Sequence, residues 1–367
     1  FSSFYPIFLR NPYPELALID LFCGCGGLSK GFEEAGFKTL LGVDFEQSAL
    51  NTFERNHNGA IGKRLDLSKS ESFDTIDEII GNRKIDVIIG GPPCQGFSLT
   101  GPRNFDDKRN TLYLAMIETV HRYQPRAFLI ENVPGMANLY KGAVKDEIIK
   151  RFTKMGYHVS CKVVCSADYG VPQIRKRLVF VGLRNSEKAF EFPHPYLTED
   201  QYITCEQAIG DLPSLVDELG TEVSQYTSAP LTEFQKKMRG KCNTLYNHVA
   251  VNHKDFVKEV IAQVPDGGNY KDLPEGVGNS RNFHMAWTRY ASNKPSRTID
   301  TGHRNNFHYK WNRCPTVRES ARLQSFPDDF VFLGNKTQQN KQVGNAVPVL
   351  LAYALAKQIK KYLENDK

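Results

Sequence analysis

A cysteine follows two prolines at the end of an apolar segment, and its type and position suit covalent chemistry. Residues 85–91 form a largely apolar run of strand length that ends in two glycines, and Pro92 and Pro93 then precede Cys94. Proline fixes φ and has no backbone N–H, so the two prolines remove the next hydrogen bonds between strands and gain no packing in return. The pattern predicts a rigid turn that directs Cys94 into a site, although most single cysteines are buried and inert.

A carboxylate ends another apolar run. Residues 127–130 are apolar, and Glu131 and Asn132 follow them directly. A buried carboxylate is costly unless it is paired, and at the edge of a sheet it becomes a candidate acid with a raised pKa. The alternative is a solvated loop glutamate, because most glutamates are exposed.

A glycine-rich turn follows the first apolar segment of the chain. Residues 18–23 lead into Gly24, Gly26 and Gly27, and apolar residues at helical spacing come next. Backbone amides at such a helix start are available to a ligand, although this spacing differs from the dinucleotide fingerprint G-x-G-x-x-G. Asp44 ends the following strand about 20 positions later, where a carboxylate can bind a ribose diol. A helix cap is the alternative role for Asp44.

The elements that must position these residues predict an α/β fold. Between residues 17 and 184, short apolar strands alternate with helical stretches such as 111–123, which favours a Rossmann-like, doubly wound, mostly parallel sheet. Segments 157–165 and 177–184 predict a late antiparallel hairpin. Beyond residue 195 the pattern becomes irregular and turn-rich, which predicts a second, smaller domain. Helical spacing returns near residue 318 and in the amphipathic tail 347–363.

Composition narrows the class of protein. The 367 residues exceed the usual size of a single core, and the hydrophobic content of 40% is ordinary for a soluble protein. No segment resembles a membrane span or a signal peptide. Eight cysteines without a pairing rhythm indicate reduced thiols in a cytosolic setting. Cys23 and Cys25 lack a second pair with zinc spacing, so we expect no metal.

The net charge of +6 is mild, but the basic residues are concentrated. Residues 279–314 contain seven Lys or Arg and one acidic residue, together with both tryptophans of the chain. Arginines interleaved with aromatics suit phosphate contact and the reading of base edges. A solvated face over a small core is the alternative.

Six motifs together resemble the DNA (cytosine-5) methyltransferases, in that family's order. They are residues 20–27 (DLFCGCGG), 91–95 (GPPCQ), 131–133 (ENV), 173–177 (QIRKR), 318–319 (RE) and 342–348 (QVGNAVP). The resemblance implies a methyltransferase fold with a discontinuous catalytic domain, 1–185 plus 315–367, and a target-recognition domain, 186–314. It also implies S-adenosylmethionine as the cofactor, bound by Phe22, Gly24, Gly26, Asp44, Phe45, Asp66, Leu67, Pro92 and Asn345.

The same resemblance implies a covalent mechanism on a base flipped out of duplex DNA. Cys94 would add to C6 of cytosine, and Glu131 would assist at N3 with a carboxyl that retains its proton. Arg175 and Arg177 alternate along the chain, so both would face the base oxygen or a phosphate. The base that removes the C5 proton is not identified by the sequence.

DNA contacts are expected from a glycine-flanked segment and from the variable region. Residues 96–109 predict a lid over DNA, in which Ser98 and Arg109 would touch phosphate. In the variable region, Thr298 anchors the resemblance, and the candidate base readers include Arg289, Arg297 and Arg304.

The length and motifs fit a monomeric modification enzyme of a bacterial restriction–modification system, acting on DNA in the cytosol. Two alternatives stay open, namely a tRNA cytosine-5 methyltransferase and a catalytically silent DNA-binding relative. The short Cys-Phe-Thr insert typical of the tRNA branch is absent from the sequence, and the variable region is large.

Overall fold

The computed structural model, which describes residues 15–93, 111–281, 286–302 and 306–365, is built around one seven-stranded sheet. In chain order, the strands here are β1 (Leu16–Leu21), β2 (Phe37–Asp44), β3 (Ile61–Arg64), β4 (Val87–Gly90), β5 (Ala127–Asn132), β6 (Tyr157–Cys165), the short β7 (Gln173–Ile174), which pairs elsewhere, and β8 (Lys176–Arg184). The order across the sheet is β3-β2-β1-β4-β5-β8-β6. The first five are parallel, whereas β8 is antiparallel to both β5 and β6. The predicted mostly parallel sheet and its late hairpin are confirmed.

The strand order reverses between β1 and β4, and this is where an open α/β sheet forms a ligand crevice. From β1 the chain moves outward to β2 and β3, and it then returns to place β4 on the other side of β1. Leu21 and Gly90 pair at the carboxyl ends of the two strands. A Cβ at Gly90 would lie 2.6 Å from the Leu21 carbonyl oxygen, so glycine permits this close approach.

Helices cover both faces of the sheet. Those in the first half are α1 (Gly27–Glu34), α2 (Gln47–Asn56), α3 (Glu71–Ile80), α4 (Thr111–Tyr123) and α5 (Ala143–Lys154). Successive strand residues point to opposite faces, so Leu18 and Ile89 belong to one apolar core and Ile19 and Ile88 to the other. This two-sided burial explains why the parallel strands read as continuous apolar runs.

The region from 186 to 314 is irregular, as the sequence predicts. Its elements are α6 (Cys205–Ile209), β9 (Val223–Gln225), α7 (Glu233–Arg239), β10 (Thr244–Tyr246), α8 (Asp255–Ala262), β11 (Thr288–Arg289), β12 (Ser296–Arg297) and β13 (Asn306–Phe307). The strands form pairs, β9 with β10 and β11 with β13, while β12 pairs with β7 of the preceding region.

The last part of the chain returns to the first helix. It contains α9 (Val317–Leu323), α10 (Lys336–Asn345) and α11 (Val349–Asn365). A Cβ at Gly31 of α1 would lie 2.4 Å from the Cβ of Ala352, so the glycine lets α11 pack closely on α1. The tail therefore folds back as expected, while the domain bounds 1–185, 186–314 and 315–367 stay a prediction.

A buried charged network joins the irregular region to α9. Arg322 is fully buried, and its guanidinium lies 2.6 Å from both Asp211 and Asp328. Arg239 also pairs with Asp211, at 2.5 Å. Removal of one partner from such a network strands a buried charge, which typically costs about 3–5 kcal/mol. The network thus fixes how residue 211 sits against α9.

The described residues are also informative about membranes, thiols and metals. None of their helices is long and apolar enough to cross a membrane. Their seven cysteines are free thiols. They contain no group of three or more metal-ligating side chains.

Candidate active site

A cavity of about 690 Å³ opens at the carboxyl ends of β1, β2, β4 and β5. This volume lies within the usual range for a small-molecule site. The wall combines backbone from the glycine turn with acidic and apolar side chains. The lining residues are 20, 22–25, 27–28, 44–46, 48–49, 65–67, 91, 93, 112, 131, 338, 341–342 and 345–347.

The glycine turn at the end of β1 adopts left-handed backbone conformations. Phe22, Gly24 and Gly26 all have positive φ, at 58°, 54° and 93°. A Cβ at Gly26 would lie 2.1 Å from Nε2 of His57, so no other residue fits without displacing that ring. Gly24 and Phe22 line the cavity, whereas Gly26 is not among its lining residues and supports the turn against His57.

Asp44, at the end of β2, fixes the turn. Its Oδ2 accepts a hydrogen bond from the Gly24 amide at 2.8 Å, and its Oδ1 accepts one from the Glu46 amide at 2.9 Å. The Asp44 carboxylate also lines the cavity. Each carboxylate oxygen has a second lone pair, so Asp44 retains acceptor capacity for ligand hydroxyls. Glu46 is the N-cap residue of α2 and no described side chain caps this helix, so the helix-cap alternative for Asp44 is wrong, whereas its place in the cavity wall agrees with the ligand role.

Next to Asp44, an exposed aromatic ring and a second carboxylate form one side of the cavity. Phe45 is 59% exposed, and the guanidinium carbon of Arg64 lies 5.0 Å from the ring centroid. Asp66 Oδ1 accepts hydrogen bonds from the backbone and hydroxyl of Ser68, which lower the Asp66 pKa. Leu67 is buried and lines the same wall. A planar ligand could stack on Phe45 with a polar edge toward Asp66.

The opposite wall comes from α10 and the residues after it. Asn345 lies there, and Gln338, Lys341 and Gln342 of the same helix join it. Gln342 Nε2 donates to the Ser48 carbonyl at 3.2 Å, which ties α10 to α2. Of these four residues the sequence identified only Asn345, because a motif near the end of a chain does not reveal which turns of its helix face a distant strand.

The sequence also did not single out Asp20 as a cavity residue, although Asp20 begins the motif at residues 20–27. It is almost fully buried, lines the cavity and accepts a hydrogen bond from the Ser29 hydroxyl at 2.6 Å. Burial raises the pKa of Asp20 to about 7. The Ser29 hydrogen bond lowers this pKa, and the charge of Asp44 raises it. The sequence contained a weak indication of the raised Asp20 pKa, since a carboxylate within an apolar strand must be paired or protonated.

The double-proline turn is held by β5. Nδ2 of Asn132 donates to the Pro92 carbonyl at 2.9 Å, and its Oδ1 accepts from the Val133 amide. Pro93 and Gly91 line the cavity, whereas Pro92 is not among its lining residues. Cys94 lies outside the described residues.

Glu131 lies beside this turn and faces an arginine. Its Oε1 is 2.7 Å from Arg177 Nε, and both side chains are 13% exposed. A Cβ at Gly91 would lie 3.3 Å from Glu131 Oε2, so the turn passes directly over the carboxylate. Burial raises the pKa of Glu131, and the charges of Arg177 and Arg175 oppose this shift. The direction agrees with the expected proton-retaining acid.

Arg175 lies between β7 and β8 and is 3% exposed. Its Nη2 donates to the Gly344 carbonyl at 3.1 Å, while its buried Nε has no hydrogen-bond partner. Burial lowers the pKa of Arg175 to about 9, with a further lowering from Arg177. Both arginines act electrostatically on Glu131. The structure thus brings Glu131, Arg175 and Arg177 together.

The prediction that Arg289 reads a base edge is wrong in this structure. Arg289 is buried, and its guanidinium donates to the carbonyls of Val264, Ile261 and His308 and to the side chain of Asn312. With its donors directed into the protein, it holds β11 in place. The sequence around Arg289, in which arginines alternate with aromatic residues, did not indicate that its side chain is buried.

Two aromatic residues of the basic stretch lie in a small core, in agreement with the alternative interpretation. Trp287 and Phe307 are fully buried, with ring centroids 5.8 Å apart, and they pack with Val257 and Ile261 of α8. Stacking on bases is therefore not their role.

Two of the other predicted DNA contacts lie at the surface. Arg297 is exposed, and Thr298 is exposed with its hydroxyl donating to the Ile174 carbonyl at 3.0 Å. Ser98, Arg109 and Arg304 lie outside the described residues.

Known proteins similar to this chain share both its sequence and its fold. Residues 16–361 match the C-5 cytosine-specific DNA methylase family. The Type II methyltransferase M1.HphI of Haemophilus parahaemolyticus is 41% identical over 100% of this chain and 91% of the relative. M.DdeI of Desulfomicrobium norvegicum is 37% identical over 95% and 89%. A prophage-encoded E. coli protein assigned as a DNA modification methyltransferase has a crystal structure with a TM-score of 0.79, 30% identity and coverage of 95% and 100%.

Proposed function

This chain belongs to the C-5 cytosine-specific DNA methylase family and is a DNA cytosine-5 methyltransferase, and we propose that Cys94, Glu131, Arg175 and Arg177 perform its chemistry. The observation that carries this assignment is the buried Glu131–Arg177 contact of 2.7 Å at the edge of the cavity. A carboxyl in that position can hold a proton or a hydrogen bond toward a base placed against the cavity. The buried Arg175 adds a second positive charge that acts on the same carboxyl.

The cavity residues fit S-adenosylmethionine. Asp44 retains acceptor capacity for a ribose diol, Phe45 offers an exposed ring for the adenine, and Asp66 lies beside it as an ionised acceptor. Phe22, Gly24, Leu67 and Asn345 complete this set, and Gly26 supports it from beneath. When bound, the cofactor supplies an electrophilic methyl group on a sulfonium.

Each protein residue has a distinct part in the proposed reaction. The Cys94 thiolate forms a bond to C6 of cytosine, which makes C5 nucleophilic enough to take the methyl group. Glu131 hydrogen-bonds or protonates N3, which eases that addition. Loss of the C5 proton to a base then lets the C6–sulfur bond break and restores the ring. Asn132 holds the turn before Cys94 through the Pro92 carbonyl.

We further propose that the substrate is a specific sequence of duplex DNA from which the target cytosine is flipped. The Type II names of the relatives favour a restriction–modification role. We further propose that the enzyme acts as a monomer in the bacterial cytosol. Ser98 and Arg109 would contact phosphate, whereas Arg297, Thr298 and Arg304 would lie near the recognised bases. The same relatives disfavour the tRNA alternative, and the retained Glu131–Arg177 contact disfavours a silent one.

The test begins in a host that lacks cytosine methylation. Expression followed by bisulfite sequencing should reveal one modified sequence, and Cys94→Ser should remove the modification without loss of DNA binding. DNA that carries 5-fluorocytosine should trap the wild type covalently, because fluorine cannot leave as a proton does. Methyl transfer without any denaturant-resistant adduct would contradict the role of Cys94.

A further inference from the structure

The strand that leads to Arg175 is held by the recognition region. Strand β7 has two residues, Gln173 and Ile174, and it pairs in parallel with Ser296 and Arg297 of β12. A two-stranded sheet of this length is not stable by itself. The position of β7, and of Arg175 directly after it, is therefore fixed by its surroundings, which are β8 and Ser166 on one side and the recognition region on the other.

Gln173 supplies the most central of these contacts. It is fully buried, its Oε1 accepts a hydrogen bond from the Ile299 amide at 3.3 Å, and its Nε2 donates to the Leu323 carbonyl at 3.2 Å. One side chain thus connects β7, the segment that follows β12, and helix α9. Unpaired buried polar groups are costly, so loss of the Gln173 amide would leave the Ile299 amide and the Leu323 carbonyl without this partner.

Arg175 itself has few constraints of its own. Its guanidinium makes a hydrogen bond to the Gly344 carbonyl, and its Nε has none. Its backbone carbonyl accepts from the amide and hydroxyl of Ser166. The guanidinium is buried with one hydrogen bond among the described residues, so its place beside Glu131 depends largely on the backbone position of Arg175.

The contact partner Gly344 is also pressed against the recognition region. A Cβ at Gly344 would lie 2.8 Å from the Asp300 carbonyl oxygen and 3.0 Å from the Thr301 Cα. The segment from 296 to 301 thus reaches Arg175 indirectly by two routes, through Gln173, which precedes it in the chain, and through Gly344, which binds its guanidinium.

We propose that Gln173 is a positioning residue through which the recognition segment 296–299 sets the place of Arg175 beside Glu131. This inference rests on the proposed roles of Glu131 and Arg175. Docking of the correct DNA sequence on the recognition region would then act on the rate of methyl transfer as well as on binding, because a shift of β12 moves β7. A misplacement of about 1 Å at a catalytic group can cost about a hundredfold in rate.

The test is a double-mutant cycle on the single-turnover rate of methyl transfer. Gln173→Met keeps the side-chain volume and removes both hydrogen bonds, so we expect a rate loss of about tenfold or more, with cofactor and DNA dissociation constants changed less than about threefold. If Gln173 acts through Arg175, the double variant with Arg175→Ala should be no slower than Arg175→Ala alone. Additive losses would overturn the proposal.

A matched control is available in the same region. Gln235 is also fully buried, caps α7 through its Oε1 and donates to the Glu206 carbonyl, but it does not touch β7. Gln235→Met should lower the melting temperature and leave the rate unchanged. Equal rate losses in Gln173→Met and Gln235→Met would reduce Gln173 to a general stabilising role.

A milder variant covers the case in which Gln173→Met does not fold. Ser296 is buried, and its hydroxyl donates to the Pro172 carbonyl at 3.1 Å, so Ser296→Ala loosens the same strand pair by one bond. It should show a smaller rate loss, of about threefold, that again disappears in the Arg175→Ala background. If Arg175→Ala keeps the wild-type rate, the proposed catalytic role of Arg175 is wrong. If Arg175→Ala is slow but Gln173→Met and Ser296→Ala each lower its rate further, only the positioning role of Gln173 is wrong.

Discussion

Arg177 Nε lies 2.7 Å from Glu131 Oε1, within a site where both side chains are largely buried. The pair balances two opposing effects on one carboxyl, since burial raises the Glu131 pKa and the arginine charge lowers it. An acid tuned in this way keeps its proton to higher pH than an ordinary glutamate, while the arginine limits the shift. The contact thus sets both the position and the acidity of Glu131.

Glu131→Gln should lower the single-turnover rate by about two to four decades, the usual contribution of a positioned acid. The amide keeps the shape and one acceptor but cannot deliver a proton. Cofactor affinity, measured by calorimetry, should stay near the wild-type value. A rate that is nearly unchanged would remove Glu131 from the mechanism.

Arg177→Met should move the pH profile of the rate. Without the arginine charge, the Glu131 pKa rises further, so the carboxyl keeps its proton to higher pH. If protonated Glu131 is the active form, the fall in rate at alkaline pH shifts upward, even though the maximum rate is lower. A profile with an unchanged alkaline midpoint would show that Arg177 does not tune this group.

Asp44→Ala should weaken S-adenosylmethionine by about ten- to a hundredfold, because hydrogen bonds to a charged group contribute roughly 1.5–3 kcal/mol. The same change frees the Gly24 and Glu46 amides, so the glycine turn also loses support. The rate at saturating cofactor should change far less. Equal losses of cofactor binding in Asp44→Ala and Glu131→Gln would contradict the proposed division of roles.

Asp20→Asn should stabilise the protein at alkaline pH. The folded protein keeps the Asp20 proton to about pH 7, whereas the unfolded chain releases it near the ordinary value of 3.8. The folded state therefore binds more protons between these values, and stability falls as pH rises through that window. At pH 8 the variant should be more stable by roughly 4 kcal/mol.

Urea unfolding without cofactor, from pH 4 to 8, measures this difference. The gain should shrink to less than about 1 kcal/mol near pH 4, because the unfolded chain then also begins to bind the proton. The exposed Asp329→Asn serves as the control. A stability difference independent of pH would mean that Asp20 is ionised in the folded protein.

Arg289→Met should reduce stability and preserve site preference. Its guanidinium satisfies several buried carbonyls, and leaving them unpaired should cost roughly 3 kcal/mol. The exposed Arg297→Met should instead relax site preference. Unfolding curves and methylation profiles over a randomised duplex library, measured for both variants, distinguish structural arginines from recognition residues. Relaxed preference in a stable Arg289→Met variant would restore it as a base reader.

The sequence predicted the parts of the fold that follow local rules. Continuous apolar runs that end in Asp44 or Glu131 identified strands with polar side chains at one edge, because parallel strands share their carboxyl ends. It could not predict which arginines are buried, since Arg289 and Arg297 lie in the same stretch of basic and aromatic residues. Nor could it place Gln338 or Gln342 in the cofactor cavity, because that contact depends on how a distant helix returns.

This return has a consequence for synthesis of the chain. The Cys25 thiol contacts the Gln342 carbonyl across 317 residues, and one wall of the cavity consists of residues 338–347. At a translation rate of about 5–20 residues per second, roughly 15 s to a minute separates the glycine turn from its facing wall. A nascent chain on the ribosome therefore has its sheet long before it has a complete cofactor cavity. Methylating activity should start only after residues 338–347 have been synthesised, so translational pauses in the recognition region would delay its onset after all seven strands of the sheet have been made.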